Sequence, residues 1–203
     1  MTTWQHQPKA KPSVDPKEIF LMAEAFSNAA RTIGDHHNHR DGMTNPSQTI
    51  HTQAPLDLIP AAVCAAFSLE LYFKCLLRLE NVNPRKMHDL DALFAKLSTE
   101  SRRFIRQCYT HEVGPTVETM KRTAARLKAE GINHTPPAIE DLDHVLSASA
   151  KVFEKFRYAF EGLSREEWIA GNVTTCVRRR IIALHPEWEP QPAPARPGTQ
   201  APS

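Results

Sequence analysis

The sequence predicts an all-α protein, an up-and-down bundle of five to seven helices. One observation is the placement of the 16 prolines, which leaves proline-free windows at 17–45, 61–83, 85–114, 116–135 and 138–185. Because proline is strongly disfavoured inside helices, these windows are where helices can form. The other observation is that apolar residues recur in the windows at steps of three and four, whereas strand-like alternation is scarce.

Length and composition predict one domain with polar ends. The chain has 203 residues, 41% hydrophobic and 24% charged, which is typical of a soluble globular protein. The helical domain is expected at 15–185, between a segment at 1–14 and a proline-rich tail at 186–203, both expected to be disordered. The formal charge is only +2, so net charge alone does not require a large nucleic-acid surface.

Membrane and secreted classes are not expected. A membrane span needs about 18 consecutive apolar residues, and the longest candidate, 58–77, is interrupted by Pro60, Ser68, Glu70 and Lys74. The N-terminus also lacks the apolar stretch of a signal peptide. The four cysteines form no C-x-x-C pair, so we expect reduced, packed thiols and no zinc site. They are Cys64, Cys75, Cys108 and Cys176. These features predict a cytoplasmic location.

The first predicted helix begins at Asp15 and ends at Gly34. Asp15 is a favourable N-cap, Pro16 suits the first helical position, and Glu18 completes a capping-box pattern. Glycine commonly follows the last residue of a helix, so residues 35–55 are expected to form a polar loop.

Four further helices follow from the pattern. A helix over 60–79 is apolar nearly all round and should therefore be central. A short helix begins near Leu90, and Ser98 begins the next. Gly114-Pro115 is expected to break the chain before a basic amphipathic helix at 117–130.

The end of the domain is predicted as two helices. A long one spans 137–161, and Ser149 lies on its apolar line, where a neighbouring helix could approach closely. The last begins at the capping box 164–167 and ends near Leu184. Its apolar line is Ile169, Val173, Cys176, Val177, Ile181 and Leu184.

Glu70 and Lys74 are the first candidates for a functional site. They have the favoured order of an i,i+4 ion pair on a helix that is otherwise apolar. Charges in such a setting are either buried or in a cleft, where they are often functional. The alternative is a solvated stripe that also includes Arg78.

Two more polar groups are candidates for a functional site. His88 and Asp89 open the short helix, where they either join a site or satisfy backbone groups at a tight corner. Arg157 lies within reach of Glu161, beside Tyr158, in either a site or an ordinary salt-bridged helix end.

A basic run, 178–180, comes late in the chain and is followed by His185. Arginine can stabilise phosphate charge and histidine can transfer a proton, so Arg180 and His185 could cleave RNA without metal. The alternative is a charged helix end, where cations are favourable anyway.

The histidines at 36, 37 and 39 could hold a metal. The residues around them lack matched carboxylate or cysteine spacing, so no metal site and no cofactor are predicted. A flexible loop is the interpretation we favour there.

The order of these motifs resembles one family. An apolar helix with Glu70-x-x-x-Lys74 precedes His88-Asp89-Leu90-x-x-Leu93-Phe94-x-x-Leu97, and a long helix ending Phe156-Arg157-Tyr158-x-x-Glu161 follows. The chain thereby resembles the HEPN superfamily (higher eukaryote and prokaryote nucleotide-binding), in a bacterial branch of unassigned function. The resemblance covers about 16–182 and is firmest over 60–100 and 138–162.

The resemblance implies a helical bundle that usually forms a homodimer. Many members are metal-independent ribonucleases in phage defence, stress or toxin–antitoxin systems, with an antitoxin as partner, whereas others bind RNA or nucleotides or act as scaffolds. The nuclease signature is Arg-x(4–6)-His on a late helix, and Arg180 and His185 match its spacing. They depart from it because Ile181 stands where a polar residue is typical and Pro186 follows His185.

Two functions therefore stay open. One is binding of RNA or a nucleotide, in which Lys74, His88 and Arg157 contact phosphate and Glu70 orients Lys74. If Arg180 and His185 act as the resemblance implies, the protein would also cleave RNA. The other is a non-catalytic interaction module in which the polar set is structural and the tail binds a partner.

Overall fold

The computed structural model describes residues 14–40, 59–84, 86–132, 141–150 and 171–190. Within these ranges every regular element is helical and none is a strand, which confirms the all-α prediction. The helices are α1 (Pro16–Arg40), α2 (Ile59–Leu79), α3 (Leu90–Lys96), α4 (Thr99–Ala129), α5 (Leu142–Ala148) and α6 (Gly171–Leu184), with a 3₁₀ turn at Pro186–Trp188.

The apolar helix α2 is the centre of the bundle, as its sequence predicts. It packs against α1, α3 and α6, and Leu69, Tyr72, Phe73 and Leu76 are fully buried. Of the helices in the described ranges, α2 alone is long and apolar enough to cross a membrane, and 61% of that stretch is buried inside the protein. The neighbouring helices therefore cover most of its apolar surface.

Helix α1 begins where the capping pattern predicts and ends later. The Asp15 carboxylate accepts a hydrogen bond from the Lys17 amide at 3.0 Å. The prediction that Gly34 ends the helix is wrong, since α1 continues to Arg40 and includes the start of the expected loop. Gly34 lacks the positive φ of a terminating glycine, and one glycine inside a helix costs only about 1 kcal/mol.

The chain reverses after α2 at the predicted place. Asn81 has a φ of 60°, the left-handed conformation that asparagine tolerates at a helix end. The Val82 amide then donates to the Leu77 carbonyl at 2.8 Å. The short helix α3 follows with Leu90, Leu93 and Phe94 buried, as predicted.

Helix α4 begins at its predicted cap but does not break at Gly114-Pro115. Ser98 caps it by accepting a hydrogen bond from the Ser101 amide at 3.2 Å, and α4 then runs through Pro115 as one helix of 31 residues. A proline inside a helix clashes with the carbonyl four residues earlier and with the Cβ and N–H of the residue before it. The second clash is reduced here, because Gly114 has no Cβ. Pro115 is exposed, so water can satisfy the carbonyl that loses its intrahelical donor.

Helix α5 is shorter than the long helix predicted over 137–161. Leu142, Val145 and Leu146 are buried as the periodicity predicts, but the helix ends at Ala148 with Ser149 as its cap. A turn at this point lets the Ala150 carbonyl accept a hydrogen bond from the Leu90 amide at 3.4 Å, at the start of α3. The apolar line beyond it, at 153, 156 and 160, lies outside the described residues.

The last helix, α6, buries most of its predicted apolar line. Val173, Cys176, Val177 and Ile181 are fully buried, whereas Leu184 is 40% exposed. Ile169 and the predicted capping box at 164–167 lie outside the described residues.

The expected disordered tail does not begin at 186. Residues 186–188 form a 3₁₀ turn, and the Trp188 ring packs 5.5 Å from that of Phe20 on α1. The chain after α6 therefore adds the partly buried Trp188 to the edge of the core.

Candidate functional site

Glu70, Lys74 and His88 come together, and we call them the Glu70 cluster. Glu70 Oε1 lies 2.6 Å from Lys74 Nζ and 3.0 Å from His88 Nδ1. The Glu70 side chain is only 2% exposed, whereas those of Lys74 and His88 are 20% and 57% exposed. The cluster thus has a buried carboxylate at its base and an imidazole at its solvent side.

The second carboxylate oxygen of Glu70 is the unusual feature of this cluster. Glu70 Oε2 is buried, and no described residue hydrogen-bonds to it. A buried acceptor without a donor costs about 1–3 kcal/mol, so the contacts of Oε1 must hold the carboxylate in place. The arrangement can orient His88 for proton transfer or simply fix the chain before α3.

Of the other predicted members of this set, only Asp89 belongs to the described part of the chain. Asp89 is the N-cap of α3, and its side chain makes no capping hydrogen bond. Arg157, Tyr158 and Glu161 lie outside the described residues.

Arg180 is buried in the contact between α6 and α4. Its Nε donates to Ser101 Oγ and its Nη2 to Glu100 Oε1, both at 2.9 Å. Its guanidinium carbon lies 5.5 Å from the centre of the Phe104 ring. These contacts give Arg180 a packing role between two helices.

His185 faces different neighbours. Its ring stacks on Trp188 at 4.3 Å, and its Nδ1 lies 2.9 Å from Glu187 Oε1. This hydrogen bond lowers the pKa of the Glu187 carboxyl. His185 lies just beyond the end of α6 with a non-helical backbone, φ −135°, and the hydrogen bonds of its ring and of Arg180 go to different residues. Arg180 and His185 therefore have separate sets of partners.

A second polar region, which we call the arginine cleft, lies between α1 and α6. It is a cavity of about 590 Å³, within the range of 300–1,000 Å³ typical of small-ligand sites. Its walls are of mixed polarity and carry three guanidinium groups. The lining residues are Glu24, Ser27, Asn28, Arg31, Thr175, Arg178, Arg179 and Pro190.

Glu24 and Arg178 form the fixed part of the arginine cleft. Glu24 Oε1 accepts hydrogen bonds from Arg178 Nε, at 2.7 Å, and from the Tyr72 hydroxyl. Burial, reinforced by the Glu24 carboxylate, raises the pKa of Tyr72 above its usual range. Arg178 also lies 3.3 Å from Glu189. This arginine is therefore held in place by two carboxylates.

Arg31 and Arg179 are the more exposed arginines. Arg31 donates to Asn28 Oδ1 at 2.5 Å and has no carboxylate partner among the described residues. Arg179 donates to Glu112 at 2.5 Å, but its side chain is 51% exposed. A guanidinium has five N–H donors, so both side chains retain donors for an anion.

Sequence reasoning identified the basic run at 178–180 but missed the α1 side of the cleft. Glu24, Ser27, Asn28 and Arg31 follow one another at helical steps, so they share one face of α1. That polar stripe could have indicated a candidate site on α1. The sequence pattern could not show that the stripe faces α6, because Glu24 and Arg178 are 154 positions apart.

Among the described residues no group of three histidine, cysteine or carboxylate side chains is placed to hold a metal ion, and the side chains of His37 and His39 lie outside that description. Residues 36–39 belong to α1, so the flexible loop expected there is wrong.

No protein-family model, no curated protein and no solved structure matches this chain.

Proposed function

We propose that this protein binds RNA or a nucleotide through its phosphate groups, in the arginine cleft. The observation that carries the proposal is the convergence of Arg31, Arg178 and Arg179 on one cavity from two helices. Guanidinium groups match phosphate oxygens in a bidentate geometry. The resemblance to the HEPN superfamily supports the same class of ligand.

Each wall of the cleft has a distinct part in the proposal. Arg31 and Arg179 contact phosphate, because they are the arginines with the most exposed donors. Arg178 stays fixed on Glu24 and supplies positive charge behind them. Ser27 and Asn28 on α1 offer hydrogen bonds to a sugar or base, since their side chains are neutral donors and acceptors.

Binding is the proposed activity, and RNA cleavage is not included. Arg180 is engaged with Ser101 and Glu100, and His185 with Trp188 and Glu187. A general acid and the group that stabilises phosphate charge must both reach the same phosphodiester. We place the protein in the cytoplasm, where its free thiols stay reduced.

The test is titration of a fluorescein-labelled single-stranded RNA, followed by anisotropy, with ATP as a competitor. Arg31→Ala and Arg179→Ala should each weaken binding about tenfold, which corresponds to about 1.4 kcal/mol for one lost charge-assisted contact. Each should also reduce the slope of log affinity against log salt by about one.

Arg122→Ala on α4 is the matched control. Arg122 is 78% exposed and pairs with Glu118 at 3.2 Å, away from the cleft, so its loss removes the same charge without touching the site. Equal weakening by all three variants would show a diffuse surface effect and contradict the cleft. Unchanged binding in Arg31→Ala and Arg179→Ala would do the same.

A second assay decides on cleavage. Incubation of end-labelled RNA with the protein in EDTA should leave the RNA intact. Cleavage that disappears in an Arg180→Ala/His185→Ala double variant would instead establish a metal-independent nuclease.

A further inference from the structure

The carboxylate of Glu189 lies at the edge of the arginine cleft. Its Oε1 is 3.3 Å from Arg178 Nη1, and both Arg178 and the next residue along the chain, Pro190, line the cavity. A carboxylate and a phosphate offer the same kind of anionic oxygen to a guanidinium group. Glu189 therefore occupies a nitrogen of Arg178 that a phosphate in the cleft could use.

The turn before Glu189 is anchored to the rest of the protein. Residues 186–188 form the 3₁₀ turn that follows α6, and the Trp188 ring lies 4.3 Å from that of His185 and 5.5 Å from that of Phe20 on α1. The Glu189 side chain itself is 54% exposed. Its contact with the guanidinium can therefore open by rotation of this side chain, while the turn stays packed.

The contacts between carboxylates and arginines at the cleft differ in length and burial. Glu24 lies 2.7 Å from Arg178 and is 16% exposed, and Glu112 lies 2.5 Å from Arg179 and is 23% exposed. The contact of Glu189 is both longer, at 3.3 Å, and more exposed. Charge-assisted hydrogen bonds are usually about 2.7–2.9 Å long, and exposed ion pairs contribute little free energy. Glu189 is thus the carboxylate that a ligand displaces at the lowest cost.

We propose that a ligand phosphate replaces Glu189 on Arg178 when it enters the cleft. Arg178 is then a third phosphate contact, and Glu189 is an internal competitor that lowers the affinity of the free protein. This inference rests on the proposed function, because it concerns the same cleft and the same class of ligand. Arg178 Nε stays on Glu24 throughout, and Nη1 exchanges one anionic oxygen for another.

Charge compensation gives the competitor its effect. Three glutamates contact Arg178 and Arg179, so much of the positive charge of the cleft is matched before a ligand binds. A displaced Glu189 side chain carries its charge into solvent, where water and salt screen it. Removing the charge at position 189 should therefore strengthen binding of an anion.

The experiment compares full-length Glu189→Gln with wild type in the anisotropy titration of fluorescein-labelled single-stranded RNA. Glutamine keeps the size of the side chain and loses its charge. The variant should bind RNA about threefold more tightly, because the ligand no longer has to break an exposed ion pair. ATP should compete about threefold better as well, since it offers the same phosphate oxygens.

Glu187→Gln is the matched control. Glu187 stands two positions earlier, is 63% exposed and pairs with His185 at 2.9 Å. Its substitution removes the same charge from the same segment and leaves the contact of Glu189 with Arg178 in place. This variant should bind RNA with an affinity close to that of wild type.

Arg178→Lys tests whether the effect passes through this arginine. Lysine keeps the positive charge beside Glu24, but its single ammonium lacks the forked second nitrogen that reaches Glu189. In this background Glu189→Gln should no longer strengthen binding, which is a coupling between the two positions. A purely structural role of the turn would not produce that coupling. Circular dichroism checks that each variant is folded.

The outcomes separate this inference from the proposed function. Weaker binding by Arg31→Ala and Arg179→Ala reports on the cleft itself. If those losses are observed and Glu189→Gln binds like Glu187→Gln, the inference is overturned and the proposed function stands. Stronger binding that persists in the Arg178→Lys background also overturns it. If neither wild type nor Glu189→Gln binds RNA or ATP, the proposed function fails and this inference fails with it.

Discussion

The Glu70 cluster and the arginine cleft are built from the same kind of contact, yet they differ in what surrounds it. In each, one carboxylate oxygen is shared between two donors: Glu70 by Lys74 and His88, Glu24 by Arg178 and Tyr72. Glu70 is 2% exposed and Glu24 16%. Beside Glu24 lies an open cavity, whereas Glu70 Oε2, which has no hydrogen-bond partner among the described residues, is buried in the bundle.

This difference indicates that burial decides whether a charged residue stabilises the fold or serves a binding site. A sealed carboxylate with fixed partners holds a helix and a loop together, because losing one partner would strand a buried charge. An open one can fix the direction of an arginine and leave other arginines free for a ligand. Stability measurements should therefore respond to Glu70, and binding measurements to the arginine cleft.

The largest expected effect tests the sealed side of this comparison. Glu70→Ala should lower the free energy of unfolding by about 3 kcal/mol, since it removes a buried partner and leaves a void in α2. The lower end of the range for buried pairs applies because Lys74 and His88 can turn to solvent. Urea denaturation followed by circular dichroism measures it.

Glu70→Gln is the matched control for that variant. It keeps the volume and an acceptor for Lys74, so the loss should be about 1 kcal/mol. RNA binding per folded molecule should stay unchanged in both. A loss below about 0.5 kcal/mol in Glu70→Ala would instead favour a solvated stripe.

A second comparison lies within three consecutive arginines. Arg180→Ala should cost about 2 kcal/mol, because it removes two hydrogen bonds and the contact with Phe104 from a buried position. Arg179→Ala should cost less than about 0.5 kcal/mol, since its side chain is half exposed.

Urea unfolding and the RNA titration together separate these two arginines. We expect Arg180→Ala to lose stability and keep binding, and Arg179→Ala to show the opposite. An Arg180→Ala protein with wild-type stability and altered RNA chemistry would return Arg180 to the catalytic role that its spacing suggests.

Local sequence features predicted most of the fold. The caps at Asp15 and Ser98 and the apolar character of α2 were sufficient to locate those elements, because each acts within one turn of helix. The breaks expected at Gly34 and Gly114-Pro115 failed for a common reason. Glycine and proline only make ending a helix cheaper, and the surroundings decide whether it ends.

The candidate site was less predictable. The i,i+4 spacing predicted the contact of Glu70 with Lys74. His88 also contacts Glu70, although no local spacing requires it, because the two residues are 18 positions apart. The arginine cleft forms only where the polar face of α1 meets that of α6. This contact depends on tertiary packing, which no local sequence pattern specifies.

Alkaline pH should lower the free energy of unfolding through the buried thiol of Cys75. Burial raises the pKa of Cys75 from 9.0 to about 12. The unfolded thiol therefore releases its proton first, so the stability due to Cys75 is complete below pH 9 and is lost as pH rises toward 12.

Cys75→Ala isolates this effect. Between pH 7.5 and 10 the variant should lose about 1 kcal/mol less stability than wild type, because it has no buried thiol to protect. Urea denaturation at the two pH values measures the difference, and the value at pH 7.5 corrects for the cost of the substitution itself. Parallel losses in the two proteins would mean that Cys75 titrates alike in both states.

A small effect is also expected from an ion pair that has good geometry and is half exposed. Arg106 holds Asp143 through two hydrogen bonds, at 2.5 and 2.7 Å, and thereby joins α4 to α5. This contact lowers the pKa of Asp143, but the two side chains are 46% and 61% exposed. Water and salt therefore screen most of the attraction.

Arg106→Ala should accordingly cost less than about 1 kcal/mol. A double-mutant cycle with Asp143→Asn should give a coupling of about 0.5 kcal/mol that disappears in 1 M salt, where charges are screened within about 3 Å. A coupling above about 2 kcal/mol that persists in salt would mean that ion-pair geometry, and not burial, sets the worth of charged contacts here. The contrast between the Glu70 cluster and the arginine cleft would then need another explanation.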